Sequence, residues 1–94
     1  MSDDKTRAEI IANGLVQGVG FRYFITRNAE DLNLKGFTQN LPTGEVLTVV
    51  EGDKSSIEEL FNKIKVGPRS ASVNNCNIRW KENKNEFESF FVKH

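Results

Sequence analysis

A chain of 94 residues, 37% hydrophobic and 28% charged, suits one soluble globular domain and is too short for two hydrophobic cores. Its thirteen basic and thirteen acidic residues cancel. This balance argues against a general nucleic-acid-binding protein, which needs a positive surplus to release counterions from the phosphate backbone.

The cysteine and histidine counts limit the chemistry. A single cysteine excludes an intramolecular disulfide and a CxxC motif, and a single histidine argues against histidine catalysis and a histidine metal site. No apolar run approaches the roughly 20 residues that cross a bilayer, and the start MSDDKTRAEI is polar, unlike a signal peptide. We therefore expect a cytoplasmic protein without membrane contact, forming one domain over residues 1–94 with a flexible tail at 1–6.

The first predicted elements are a strand and a helix. Residues 7–13 indicate a strand, with Ala8, Ile10 and Ala12 on one face. A glycine-rich loop follows. A helix is expected to begin at Phe21 and end near Asn33, because the apolar residues recur with helical spacing, at Phe21, Phe24, Ile25, Ala29 and Leu32.

A β-hairpin and a second helix come next. Residues 36–40 predict a strand, 41–44 a turn and 45–52 the returning strand. Ser55 and Glu58 have the spacing of a capping box at a helix start. The apolar face of that helix is predicted to contain Ile57, Leu60, Phe61 and Ile64.

The last part of the chain predicts two strands. The VGP sequence at 66–68 ends the second helix, and Cys76, Ile78 and Trp80 then alternate with polar residues as in a half-buried strand. Residues 87–94 favour a short final strand whose inward face the pattern leaves undecided. The order β-α-β-β-α-β with a terminal strand predicts an α+β sandwich, in which two right-handed βαβ units place both helices on one face of an antiparallel sheet.

The sequence GLVQGVGFRYF, residues 14–24, gathers three glycines directly before Arg22. Glycine clusters allow successive backbone N–H groups to turn toward one point, and free N–H groups at a helix start extend that concavity. The loop is therefore a candidate anion site with Arg22 at its edge. An ordinary tight turn is the alternative reading, since the motif is neither a P-loop nor a GxGxxG fingerprint.

The hairpin sequence GFTQNLPTGEV, residues 36–46, contains a second candidate residue. Asn40 can serve as a turn former at the strand end, or it can position a water, because its amide offers one acceptor and two donors. Cys76 is expected to be a small buried apolar residue without a chemical role.

The two glycine-containing segments together resemble the acylphosphatases. GLVQGVGFR at 14–22 matches the pattern G-x-V-Q-G-V-x-F-R at every specified position, and 36–46 matches G-x-V-x-N-x-x-x-G-x-V except at Thr38. Residues 51–73 also look like the family's second helix and the Gly-Pro segment after it. The ending FFVKH is similar to the last strand, although His94 is an unusual final residue.

The resemblance implies a ferredoxin-like α/β sandwich and a hydrolase that converts an acyl phosphate and water into a carboxylate and phosphate. It implies that Arg22 binds the phosphate and that Asn40 orients the attacking water. The backbone N–H groups of the loop would form the phosphate cradle; these belong to Leu15, Val16, Gln17, Gly18, Val19, Gly20 and Phe21. No metal and no cofactor are expected. The expected ligands are a small-molecule acyl phosphate and, as product-like anions, inorganic phosphate or sulfate, bound by a monomer.

Two other functions remain open at this point. Acylphosphatase-like domains occur inside larger maturation proteins, so the chain could be a non-catalytic binding module. A nucleic-acid-binding domain of ferredoxin-like fold is disfavoured by the zero net charge. Hydrolysis of a simple acyl phosphate would distinguish the enzyme from both.

Overall fold

The computed structural model of the protein describes residues 5–94. Its elements follow the predicted order: β1 (Lys5–Leu15), α1 (Phe21–Asp31), β2 (Lys35–Asn40), β3 (Val46–Asp53), α2 (Lys54–Val66), β4 (Ser72–Lys81) and β5 (Phe90–Lys93). β1 begins two residues before its predicted start, so Lys5 and Thr6 belong to the strand. The rest of the predicted tail, residues 1–4, lies outside the described residues.

The five strands form one mixed sheet in the order β4-β1-β3-β2-β5. Four of them pair antiparallel, but β5 pairs parallel to β2, so the prediction of a wholly antiparallel sheet is wrong at that edge. β4 lies at the opposite edge of the sheet, and its direction is antiparallel to that of β2. Residues 82–89 cross the end of the sheet and reverse the chain, and β5 therefore runs in the same direction as β2.

Both helices cover one face of this sheet, in the α+β ferredoxin-like arrangement. α1 contacts β2 and β5, α2 contacts β1, β3 and β4, and the helices also contact each other. The predicted apolar spacing is confirmed: the buried residues are Phe21, Ile25 and Ala29 in α1, and Ile57, Leu60 and Ile64 in α2. These side chains cover Ala8, Ile10 and Ala12, the predicted buried face of β1. Among residues 5–94, no helix is long and apolar enough to span a membrane.

The start of α2 differs from the prediction. The helix begins at Lys54, directly after β3, and its N-cap residue is Asp53. Ser55 therefore lies inside the first turn, where its side chain cannot act as an N-cap, and the predicted capping box with Glu58 is wrong. The end of the helix agrees with the prediction, because Gly67 is the C-cap residue and its N–H donates to the Lys63 carbonyl at 2.9 Å.

The two edge strands, β4 and β5, differ in how many of their side chains are buried. In β4 the Cys76 and Ile78 side chains pack against the core, whereas Trp80 is 38% exposed. In β5 Phe90 is the inward residue and is buried, while Phe91 is exposed. This assigns the inward face of the last strand, which the sequence pattern left undecided.

The register of the β2–β3 hairpin decides where Asn40 points. Thr38 pairs with Thr48, and Asn40 pairs with Val46. Val46 and Thr48 are buried under the helices, and alternate residues of a strand share a face. Asn40 therefore lies on the helix-covered face, at the end of the sheet where β1 leads into the glycine-rich loop.

Candidate active site

The segment between β1 and α1, residues 16–20, is shaped by two glycines in the left-handed region, Gly18 with φ 74° and Gly20 with φ 76°. A Cβ atom at either position would meet no atom within 4 Å. The backbone conformation, and not crowding, is therefore what favours glycine there, because L-residues pay about 1–2 kcal/mol in this region. The space beside both residues is open to a ligand.

The first turn of α1 has free N–H groups. Gly20 is its N-cap residue, and within the described chain no side chain caps the helix and no acidic residue lies in its first turn. The helix begins with the Phe24 N–H bonded to the Gly20 carbonyl at 3.0 Å. Such a helix start attracts an anion, since both its N–H groups and the helix dipole present positive charge.

Buried side chains fix the two ends of this loop. Val16 and Phe21 are each 1% exposed and belong to the hydrophobic core. Ser70, which follows α2, donates its hydroxyl to the Val19 carbonyl at 2.7 Å. The loop backbone is therefore attached to the core and to the α2–β4 connection, as a preorganised binding site requires.

Arg22 lies in the first turn of α1 and is half-buried. It lines a cavity of about 280 Å³ together with Gly18 and Gly20. Within residues 5–94 the guanidinium makes no ion pair. A cation at a helix start is unfavourable by about 0.3–1 kcal/mol, and an anion bound in the cavity would compensate for it.

Asn40 ends β2 and has an unusual side-chain environment. Its carboxamide oxygen Oδ1 is buried and has no hydrogen-bond partner among the described residues. A buried acceptor without a partner costs about 1–3 kcal/mol, and native structures rarely keep one without a functional reason. The atom is suited to accept a hydrogen bond from a bound water.

Gln17 connects the glycine-rich loop to the hairpin that contains Asn40. Its side-chain Nε2 donates to the carbonyls of Leu41 and Glu45, at 2.9 Å each. The same turn is closed by the Leu41 N–H, which donates to the Glu45 carbonyl at 2.8 Å. Since Leu41 directly follows Asn40, this side chain fixes the distance between the loop and the asparagine.

The structure thus brings together most of the residues that the sequence singled out. Gly18, Gly20 and Arg22 surround one cavity, and Gln17 reaches the residue next to Asn40. Leu15 is the last residue of β1 and pairs with Ser72, so it lies at the entrance of the loop. The side chains of Val16, Val19 and Phe21 are buried or pack against the core, so these residues offer the loop only their backbone groups.

Other groups can be separated from this site. Burial raises the pKa of the Cys76 thiol to about 11, against a smaller lowering by Lys65, so the thiol stays protonated near neutral pH. Among the described residues, no group of three or more His, Cys, Asp or Glu side chains could hold a metal ion. The cavity at Arg22 is also lined by Tyr23, Thr26 and Val92, which no local pattern in the sequence identifies.

Comparison with known proteins decides the family. The acylphosphatase family model matches residues 8–92, which is nearly the whole chain. The chain belongs to the acylphosphatase family. The activity of this family is the hydrolysis of acyl phosphates.

Individual acylphosphatases agree with this assignment. The acylphosphatase of Methanococcoides burtonii is 40% identical over 92 residues, which cover 98% of this chain and 96% of the relative. The crystal structure of the acylphosphatase from Bacillus subtilis superposes with a TM-score of 0.91 at 27% identity, covering 95% of this chain and 99% of that chain. The fold of this protein is therefore that of an acylphosphatase over its described length.

The same domain also occurs within a much longer protein. Full-length HypF, in a crystal structure of its phosphate- and nucleotide-bound form, is 32% identical with a TM-score of 0.91. The match covers all of this chain but only 12% of HypF. An acylphosphatase-like domain can thus be one part of a larger assembly of domains, as well as a protein of its own.

The departure from the acylphosphatase pattern at Thr38 has a structural explanation. Thr38 is buried, and its hydroxyl lies 3.1 Å from that of Thr48, its partner across the hairpin. It also donates to the Leu47 carbonyl at 3.2 Å. Because a buried hydroxyl costs free energy only when it lacks a partner, the threonine pair is accommodated beneath the helices without disturbing Asn40.

Proposed function

We propose that the loop between β1 and α1 binds the phosphate of an acyl phosphate together with Arg22, and that Asn40 orients the water that hydrolyses it. The observation that supports this most directly is the cavity shared by Gly18, Gly20 and Arg22 at the uncapped start of α1. Arg22 can grip two phosphate oxygens through its planar fork. The N–H groups of residues 15–21 hold the remaining oxygen with dipoles that need no reorganisation.

Little further chemistry is required of the protein. An acyl phosphate is an activated mixed anhydride whose leaving group is a carboxylate, so no strong general acid is needed. Phosphoryl transfer depends mainly on positioning and on stabilising charge at the non-bridging oxygens. Both contributions come from Arg22 and the loop backbone.

The bond changes of the proposed step balance. The water oxygen attacks phosphorus while the bond between phosphorus and the acyl oxygen breaks, and the electron pair of that bond leaves with the carboxylate. One water proton passes to a phosphate oxygen, so the products are the carboxylate and dihydrogen phosphate. Asn40 Oδ1, which is buried and has no hydrogen-bond partner within residues 5–94, accepts a hydrogen bond from the water and fixes its direction of attack.

We further propose that the protein acts as a cytoplasmic monomer on a small-molecule substrate. The single cysteine is compatible with a reducing compartment, where disulfides are rare. Sedimentation equilibrium across a range of protein concentrations tests the oligomeric state. A mass that rises to twice the monomer value would contradict this part of the proposal.

Steady-state hydrolysis of benzoyl phosphate tests the proposed site. We expect turnover without an added cofactor, and competitive inhibition by inorganic phosphate or sulfate, because the product and the substrate phosphate occupy the same cradle. Turnover with no inhibition, or with purely uncompetitive inhibition, would contradict the phosphate site as drawn. Phosphate binding without turnover would overturn the proposal and identify a binding module instead.

A further inference from the structure

Ser70 lies 50 residues beyond the glycine-rich loop in sequence, in the connection between α2 and β4, yet it contacts the loop backbone. Its hydroxyl donates to the Val19 carbonyl at 2.7 Å, across 51 residues of chain. The Ala71 N–H donates to the Pro68 carbonyl at 3.1 Å and closes a turn around Ser70. The hydroxyl is therefore presented to the loop from a fixed backbone.

The Val19 carbonyl and the Gly20 N–H belong to one peptide unit. This unit is trans, since residues 5–94 contain no cis peptide bond, and the C=O and N–H groups of a trans unit point in opposite directions. Because the carbonyl points at Ser70, the N–H points away from Ser70. Gly20 lines one cavity together with Ser70 and another together with Arg22, so its N–H is directed toward the side of Arg22.

The same peptide unit can also take the reverse orientation. Gly20 accepts φ values on either side of zero at little cost, and the unit can rotate while both of its ends stay in place. The Val19 side chain packs against the core, and the Gly20 carbonyl accepts the Phe24 N–H at 3.0 Å. Reversal would turn the Val19 carbonyl, with its partial negative charge, toward the phosphate and would remove one N–H donor from the cradle.

We infer that Ser70 is a positioning residue for the phosphate site: its hydroxyl holds the Val19–Gly20 peptide unit in the orientation that lets the Gly20 N–H donate to the substrate. The inference rests on the proposed function, because it takes the phosphate to be at Arg22 and the loop. Within the described chain the Gly20 N–H has no backbone acceptor, so a bound phosphate can accept its hydrogen bond.

The test compares the wild-type protein with Ser70→Ala and Ser70→Thr in the hydrolysis of benzoyl phosphate and its inhibition by inorganic phosphate. Apparent affinity falls with the fraction of protein in the binding-competent orientation. We expect Ser70→Ala to raise KM and the inhibition constant by the same factor, about 2- to 13-fold, the range for one hydrogen bond. The value of kcat should change by less than twofold, because bound phosphate itself holds the peptide unit. Ser70→Thr keeps the hydroxyl and should retain the wild-type constants.

Ser72→Ala provides the matched control, because it removes the same hydroxyl group at an exposed position two residues further along, at the start of β4. It should leave KM and the inhibition constant unchanged. Partial unfolding of Ser70→Ala would lower kcat with the amount of active protein and leave KM unchanged, so the division between KM and kcat distinguishes positioning from a structural role.

An unchanged KM in Ser70→Ala, or equal rises in Ser70→Ala and Ser72→Ala, would overturn the role of Ser70 while leaving the phosphate site intact. Absence of turnover and of phosphate inhibition in the wild-type protein would instead be a failure of the proposed function.

Discussion

Arg7 and Glu51 face each other across β1 and β3, with Nη1 of the arginine 2.9 Å from Oε2 of the glutamate. The side chains are only 13% and 6% exposed. The carboxylate also accepts the backbone N–H groups of Lys84 and Glu86 at 2.9 Å each. Glu51 thereby attaches the connection between β4 and β5 to the centre of the sheet.

The ionisation of Glu51 should make stability depend on pH. Burial acts to raise the pKa of this carboxyl, but the Lys84 and Glu86 N–H groups and the Arg7 guanidinium outweigh it and lower the pKa below its ordinary value of 4.5. A lowered pKa means that the stabilisation is fully present above the ordinary value. It is lost as the pH falls through the lower folded-state value.

We therefore expect Glu51→Gln to reduce the free energy of unfolding at pH 7 by about 1.5–3 kcal/mol, the range for hydrogen bonds to a charged group. The difference in the free energy of unfolding between the wild type and the variant should shrink as the pH falls through the lowered pKa of Glu51. Urea unfolding between pH 7 and pH 3 measures this difference. Asp53→Asn is the control, because its ion pair with Lys5 is exposed and such pairs contribute at most about 1 kcal/mol. A deficit in Glu51→Gln that stays constant with pH would contradict the role of the charge.

The core of this fold could be predicted from local patterns. In α1 the spacing of Phe21, Ile25 and Ala29 identified the buried face, because a helix that packs on a sheet needs one apolar stripe. The capping box at Ser55 was wrong for a tertiary reason. β3 continues to Asp53 in register with β1, so the strand, and not the serine, determines where α2 begins.

The candidate site was predictable in its residues but not in its contacts. The glycines and Arg22 form one continuous motif, whereas the Gln17 side chain bonds to carbonyls 24 and 28 residues away. The cavity at Arg22 is also lined by Val92 of β5. The sequence pattern did not show which residues of that strand face inward. The position of Val92 depends on the pairing of β5 with β2, and no local periodicity encodes that pairing.

Replacing Gln17 should impair catalysis by separating the loop from the hairpin. In Gln17→Leu both donated hydrogen bonds are lost, so Asn40 is no longer held at a fixed distance from the loop, and a misplacement of about 1 Å can cost roughly 10²-fold in rate. We expect kcat for benzoyl phosphate to fall more than the affinity for inorganic phosphate. Gln39→Leu is the matched control, since within residues 5–94 Gln39 makes no side-chain hydrogen bond. Equal losses in the two variants would show that Gln17 has no special positioning role.

Arg22→Lys should not be a mild change. Lysine keeps the positive charge but loses the planar fork that binds two oxygens and fixes the orientation of the phosphate. We expect a higher inhibition constant for phosphate, which means weaker binding, together with a severe loss of turnover. Arg79→Lys, at an exposed position of β4, serves as the control and should leave both quantities near the wild-type values. Near-normal kinetics in Arg22→Lys would contradict the assignment of Arg22 to the phosphate.

Asn40→Ala should separate chemistry from binding. If Asn40 holds the water while the loop and Arg22 hold the phosphate, removal of the amide leaves the inhibition constant of inorganic phosphate nearly unchanged. Turnover of benzoyl phosphate should fall by about 10²–10⁴-fold, the range for a group that positions a reactant, or roughly 3–5 kcal/mol of barrier.

The fold should tolerate this substitution, because Oδ1 of Asn40 has no hydrogen bond to lose among the described residues. We expect the free energy of unfolding to fall by no more than about 1 kcal/mol. Asn77→Ala, at an exposed position of β4, is the control for the loss of an asparagine from a strand and should keep full turnover. If phosphate affinity falls in step with turnover in folded Asn40→Ala, then Asn40 is itself a phosphate ligand and the proposed division between binding and water positioning is wrong.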